Sequence, residues 1–402
     1  MMPERHSTGL PGLTLGFGAL LLACYTGLAW SAPRTPARDQ EVLERLPIKA
    51  GDPQANELRQ YQKAVAASPG NPVVVAELAQ RYFDLAMAFG DPRYVGYAEA
   101  LISRFTGSLT ADLLLVRGLL RQYRHAFEEA KADFLAALDL KPDLVAAQAW
   151  RGAVLLVQAD YAGARQACDG LGTGGAPTLQ AGCLGLLLAY TGQLAPAYQT
   201  LEKGLALASD PGNRQWLHTR LAEVAAWQGR AALAERHYRS ALQTDLTDGY
   251  LLAAWSDFLL DQGRPREVIE LLAEKAASDP LLLRLALAHQ QVASPQAPVF
   301  AGMLEERFRA TRLRGDTTHR AEEARYLLHI RRDHQTALAL ALANYDVQRE
   351  PRDARMVLEA AIAAGQPDKA GKVLAWVKGS GFQGLPISTL VQQLSRTQKV
   401  GS

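Results

Sequence analysis

Cys168 and Cys183 are the residue pair in this sequence whose type and spacing most directly suggest chemistry. They bracket the turn-rich stretch DGLGTGGAPTLQAG, which could fold back and bring two helices together. In an oxidising compartment the pair would close a disulfide, and a loop of about 15 residues is worth up to about 3 kcal/mol in the chain-entropy account. The alternative is two small buried side chains that never meet. The glycines of DGLGTGGA follow a helical pattern rather than a strand, so the geometry of a nucleotide-binding turn is missing. His319, Glu323, His329 and His334 lie close in sequence, yet no two of these histidines have the four-residue spacing of a helical zinc site. No nucleophile elbow, phosphate loop or Cys-x-x-Cys pair occurs. These residues therefore predict no catalytic centre, no metal and no cofactor, with an enzyme whose site lies within 280–350 as the alternative.

Charge narrows the partners. Lys plus Arg number 43 and Asp plus Glu 41, for a net charge of +2, so no global field draws nucleic acid. One local excess stands out in 305–332, where Arg307, Arg309, Arg312, Arg314, Arg320, Arg325, Arg331 and Arg332 outnumber Glu305, Glu306, Asp316, Glu322 and Glu323. It is either a solvated helix face laced with ion pairs or a surface for an anionic partner or lipid head groups. From Ser7 to Ala32 there is no charged side chain, with Arg5 and His6 before it and Arg34 and Arg38 after it. Three fates compete for this segment. Ala29-Trp30-Ser31 supplies the small-x-small pattern of a cleaved export signal, the uncharged length suits a retained membrane anchor, and Leu21-Leu22-Ala23-Cys24 is similar to a lipobox that would acylate Cys24. Each fate predicts a chain exported to the periplasm or cell envelope.

The elements that position these groups are helices. In AFEEAKADFLAALDLKP, residues 126–142, Ala130, Phe134, Ala137 and Leu138 share one face at the 3.6-residue period, and Pro142 stops the run. The small residue Ala130 recurs at Ala164, Ala197, Ala234, Val268, Ala337 and Ala370, at spacings of 34, 33, 37, 34, 69 and 33, with a site near Gly302 passed over. Ala98 extends the series upstream. Gly118, Gly152 and Gly185 form a second column, Gly192, Gly229, Gly263 and Gly365 a third at the turn inside each unit, and Phe134, Leu201, Tyr238, Leu272 and Leu374 a fourth. Such a period marks a solenoid.

The array resembles the tetratricopeptide repeat (TPR) family, best over 111–144, where Leu114, Gly118, Phe127, Ala130, Phe134, Ala137 and Pro142 take the signature places. The resemblance implies an all-α fold, an α-solenoid of antiparallel helix pairs wound into a right-handed superhelix. It divides the chain into an export signal or N-terminal anchor (1–32), a Pro-rich linker (33–69), well-matched repeats (70–276), divergent repeats (277–378) and a C-terminal cap and tail (379–402). It further implies that the first helix of each pair lines a concave wall. Carried over unit by unit, that wall is apolar and aromatic at Leu119, Tyr123, Tyr190, Trp216, Trp227 and Tyr250, and acidic at Glu223 and Asp257, with Val157 and Asp261 at equivalent places. Some of these rings would instead pack on the next helix. The implied partner is a protein, held as a peptide or helix in the groove; the family's carboxylate clamp is absent, because its places read Leu115 with Leu119 and Ala149 with Ala153. The expected function is a non-enzymatic scaffold or assembly factor of the cell envelope, touching the membrane through its N-terminal segment if uncleaved or lipidated. The oligomeric state is left open.

Overall fold

In two of the units a glycine of one helix meets a bulky residue of its partner, and this close fit helps the helices pair. A Cβ added to Gly118 would stand 2.5 Å from the Phe134 ring, and one added to Gly185 would stand 2.6 Å from Leu201. The bare helix surface thus receives the large side chain of its partner, and the fully buried Ala130, Ala164, Ala197 and Ala234 let the two axes approach. The computed structural model describes Arg38, Gln40 and residues 53–400 apart from 245 and 247, with side chains to Arg396. The expected signal or anchor and Cys24 lie outside the described residues. Among the described residues no helix is long and apolar enough to cross a membrane.

The chain is an α-solenoid, and no strand occurs among the described residues. A first helix, α1 (Pro53–Ala67), precedes the pairs α2 (Pro72–Phe89) and α3 (Pro92–Arg104), α4 (Ala111–Tyr123) and α5 (Phe127–Leu140), α6 (Val145–Val157) and α7 (Tyr161–Thr173), and α8 (Pro177–Tyr190) and α9 (Leu194–Leu207). Then follow α10 (Pro211–Trp227) and α11 (Ala231–Leu242), α12 (Gly249–Asp261) and α13 (Pro265–Leu272), and α14 (Asp279–Gln291) and α15 (Ala297–Leu313). The last units are α16 (Arg320–Tyr326), which runs on as a π-turn over Leu327–Arg331, α17 (His334–Tyr345), α18 (Pro351–Ala363), α19 (Gly371–Ser380) and α20 (Ile387–Val400). Proline recurs at the first positions of these helices, where its missing N–H is no loss.

One backbone feature runs through the whole array. The residue closing the turn inside each pair is left-handed: His125, Ala159, Gly192, Gly229, Gly263, Ala293, Arg332 and Gly365 all have φ between 52° and 78°. Ala293 and Arg332 of the divergent region thus keep the turn without a glycine, as His125 and Ala159 do in the well-matched one. Arg332 stands five residues before Ala337, as Gly263 stands five before Val268, so the π-turn ends in register with the other turns, and Asp333 caps α17 by accepting from the Thr336 amide at 3.1 Å. The passed-over column site also moves: Gly302 is exposed and borders open space, while Leu304 and Phe308 are the buried positions. Within the stretch expected to be linker, α1 docks its Leu58, Tyr61 and Val65 on the first core, and Gln62 Nε2 donates to Tyr82 Oη at 2.9 Å. Its polar residues mask an apolar stripe, since Leu58, Tyr61 and Val65 fall three and four residues apart.

The superhelix from Asn56 onward turns tightly enough to meet itself. At one end a Cβ on Gly90, after α2, would stand 2.5 Å from that of Ser278, before α14. Along the interior, the Arg349 amide donates to the Val157 carbonyl at 2.8 Å, and Trp376 Nε1 to Tyr161 Oη at 2.7 Å. Segment 349–385, which carries α18 and α19, thus lies against the inner ends of α6, α8, α10 and α12.

Candidate inner-wall site

The last-turn residues of α6, α8, α10 and α12 are each engaged by the chain's own later elements. Val157 accepts from Arg349, Tyr190 Oη donates to Glu350 Oε1 at 3.0 Å, and Trp227 meets the Phe382 ring edge-on at 5.6 Å. The Trp227 carbonyl accepts from the Leu385 amide at 2.9 Å, and Asp261 takes both Arg355 Nη atoms at 2.6 and 2.8 Å. These four positions are covered by segment 349–385.

The acidic stretch is answered by arginine. Asp257 Oδ2 lies 2.6 Å from Arg284 and Oδ1 lies 2.5 Å from Arg325; burial alone would raise the carboxyl, but the two guanidinium groups outweigh it and hold it down at about 2. Arg355 bridges Asp261 to Glu359, and His329 Nε2 is 3.3 Å from the same Glu359, whose carboxyl stays ionised at about 2 despite burial because His329 and Arg355 flank it. Between these sits a polar knot. Arg220 Nη1 contacts Glu223 at 2.8 Å and Tyr250 Oη at 2.6 Å, Tyr250 Oη donates to Glu223 at 2.5 Å, and Arg352 reaches Glu350 at 2.7 Å. At the start of α18, Glu350 and Asp353 form a capping box, with Asn344 Nδ2 donating to Asp353 at 2.9 Å; burial raises Asp353 well above an ordinary aspartate.

The sequence-predicted wall residues divide into two groups. Tyr190, Glu223, Trp227, Tyr250 and Asp257 gather around the knot and its neighbours. Leu119 is core, and Trp216 lays its ring on the bare face of Gly182 in the preceding unit, where a Cβ would come within 2.1 Å. Tyr123 is half-buried, and burial pushes its hydroxyl up to about 12. Cys168 and Cys183 are joined by a disulfide, with Cα atoms 5.5 Å apart, that ties α7 to α8. Of the arginine-rich stretch, Arg307, Arg309, Arg312, Arg325 and Arg331 each face a carboxylate. The histidine cluster does not converge: Glu323 pairs with Arg312 and His329 with Glu359, and no group of three or more His, Cys, Asp or Glu is arranged for a metal ion among the described residues.

Two arrangements had no sequence signal. The Glu350–Arg352–Asp353 cluster sits in QREPRDARM, a stretch of ordinary surface composition until it is buried. On the opposite side of the wall, Tyr198 Oη and His237 Nε2 are 2.7 Å apart, and the Nδ1 atoms of His237 and His218 3.0 Å, so α9, α10 and α11 share a hydrogen-bonded chain. Burial holds His237 down at about 4. His218 and His237 belong to opposite helices of one pair, and nothing in their 19-residue separation announces the contact.

No protein-family profile matches the sequence, and no curated protein matches it. Among solved structures, the chain is similar to the crystal structure of the APC/C hetero-tetramer Cut9–Hcn1, at 14% identity and a TM-score of 0.43, covering 76% of this chain and 52% of that one. The chain thus spans about half the length of that structure. It is also similar to yeast Tom70, at 12% identity and a TM-score of 0.44, covering 87% of this chain and 86% of the other, and to the TPR domain of P58(IPK), at 16% identity and a TM-score of 0.22, covering 78% of this chain and 94% of that one.

Proposed function

We propose that the chain is a non-enzymatic protein–protein interaction scaffold of the cell envelope, exported or tethered by its uncharged N-terminal segment. One observation carries the binding half of this reading. The inner wall already seats a polypeptide segment, 349–385, whose chemistry matches it, with Phe382 against Trp227 and Arg355 against Asp261. The disulfide between Cys168 and Cys183 and the unbroken uncharged run of residues 7–32 support the location. A membrane anchor acting through the arginines of 305–332 is less favoured, because five of them are neutralised by carboxylates of the same chain.

The test is fractionation and crosslinking in a bacterial host carrying the full-length chain. A photoreactive side chain at Trp216 or Tyr123, both only partly covered, is expected to capture a protein in the envelope fraction, and 0.5 M salt is expected to leave that capture intact. Recovery of the chain in the cytosol, or capture abolished by salt, would count against the envelope scaffold and for the electrostatic anchor respectively.

A further inference from the structure

Residues 381–386, GFQGLP, link α19 to α20 without helical structure and cross the C-terminal ends of α8 and α10. They are held much as a peptide ligand is held. Gly381 lays its carbonyl on Gly192, where a Cβ would stand 2.2 Å from that oxygen, so only a bare α-carbon admits the strap there. Phe382, 1% exposed, inserts between Trp227 and Trp376, with ring centroids 5.6 and 5.3 Å away. Gly384 passes Trp227 so closely that a Cβ would come within 2.9 Å of the tryptophan Cβ. The Leu385 amide donates to the Trp227 carbonyl, and the Leu385 side chain lies over Gly229 yet stays 43% exposed. The contacts are therefore one aromatic anchor, one main-chain hydrogen bond and two close backbone approaches, one at the turn glycine Gly192 and one at Trp227, two residues before the turn glycine Gly229 of the next unit. Strap and wall are 150 or more residues apart in sequence, and the strap has no regular secondary structure to hold it when the wall lets go.

We propose that this strap is a built-in occupant of a peptide site formed by the ends of α8 and α10, and that an outside partner enters by displacing it. The site fits an extended segment with an aromatic residue followed by glycine two places on and an aliphatic residue three places on. This rests on the scaffold reading above and adds to it a recognition sequence and a gate. Occupancy by the strap lowers the apparent affinity of any competitor by the fraction of time the site is open.

The probe is a fluorescein-labelled peptide copying residues 380–387, titrated into the full chain and read by fluorescence anisotropy. The Phe382→Ala chain is expected to bind it at least about ten-fold more tightly than the unaltered chain, and a peptide carrying the same Phe382→Ala change to bind neither. Equal affinity for the two chains, or no binding to a Phe382→Ala chain with unchanged helical circular dichroism, overturns the proposal. Should that variant lose its helical signal, hydrogen exchange on the unaltered chain decides. The Leu385 amide is expected to exchange at least about ten-fold faster than the amides of α10, and exchange at the same rate would make the strap part of the global core and overturn the gate. Peptide binding lost while envelope capture persists refutes the gate alone and leaves the scaffold standing.

Discussion

Replacing Trp227 by alanine separates an inner wall that waits for a partner from one the chain fills itself. On a free wall the indole would touch little, and a surface truncation of that kind changes stability by no more than about 0.5 kcal/mol. Here it packs on Tyr190 at 6.1 Å and on Phe382 at 5.6 Å, and its backbone holds Leu385. A fully buried tryptophan costs about 3 to 5 kcal/mol on truncation. Trp227 is only partly buried, so about half of that, roughly 2 kcal/mol, is expected. The assay is urea denaturation followed by far-UV circular dichroism, which does not depend on the residue removed. The two rings cross at 75°, and such pairs carry about 0.5 to 1.5 kcal/mol beyond burial. A double-mutant cycle with Phe382→Ala should therefore return a coupling in that range. A single-mutant effect below about 0.5 kcal/mol together with zero coupling would refute the packing of strap on wall.

Ala164 is fully buried in the small-residue column, so Ala164→Leu should overpack α7 against its partner and cost about 1 to 3 kcal/mol in the same assay; an unaltered melt would put that column outside the core. Thiol titration of the denatured, unreduced protein should find Cys168 and Cys183 unreactive, and reduction should lower stability by about 3 kcal/mol for a 15-residue loop. Stability should fall as pH drops from 6.5 to 4. Burial depresses His125 and His237 to about 4, so across that window the unfolded chain takes up protons that the folded chain refuses. Asp353, raised by burial, binds its proton earlier when folded and works in the opposite sense, so His125→Gln should flatten the loss while Asp353→Asn steepens it, measured as urea midpoints at pH 7.5 and 5.

How much of this was legible in the sequence depends on the range of the interaction. The helix pairs, their turns and their small-residue contacts are local: Gly118 and Phe134 lie on the two helices of one pair, and the same fit recurs two units on at Gly185 and Leu201. The inner positions of Tyr190, Trp227, Asp257 and Asp261 follow from the same period, because a helix face is fixed by spacing. The turn does not require the glycine that marks it at Gly192, Gly229, Gly263 and Gly365, since His125, Ala159, Ala293 and Arg332 accept the same left-handed conformation.

What the period does not encode is how sharply the array curves, since that is the sum of small rotations between neighbours accumulated over the whole stack. Only the tertiary structure brings Arg355 to Asp261 across 94 residues and Trp376 to Tyr161 across 215. It alone decides that Val157, Tyr190, Trp227 and Asp261 are covered by a later part of the chain. The sequence by itself determined the repeat and the faces of its helices, because both follow from local spacing, whereas the closure of the superhelix, a sum over the whole stack, determined that segment 349–385 of the same chain lies against those faces.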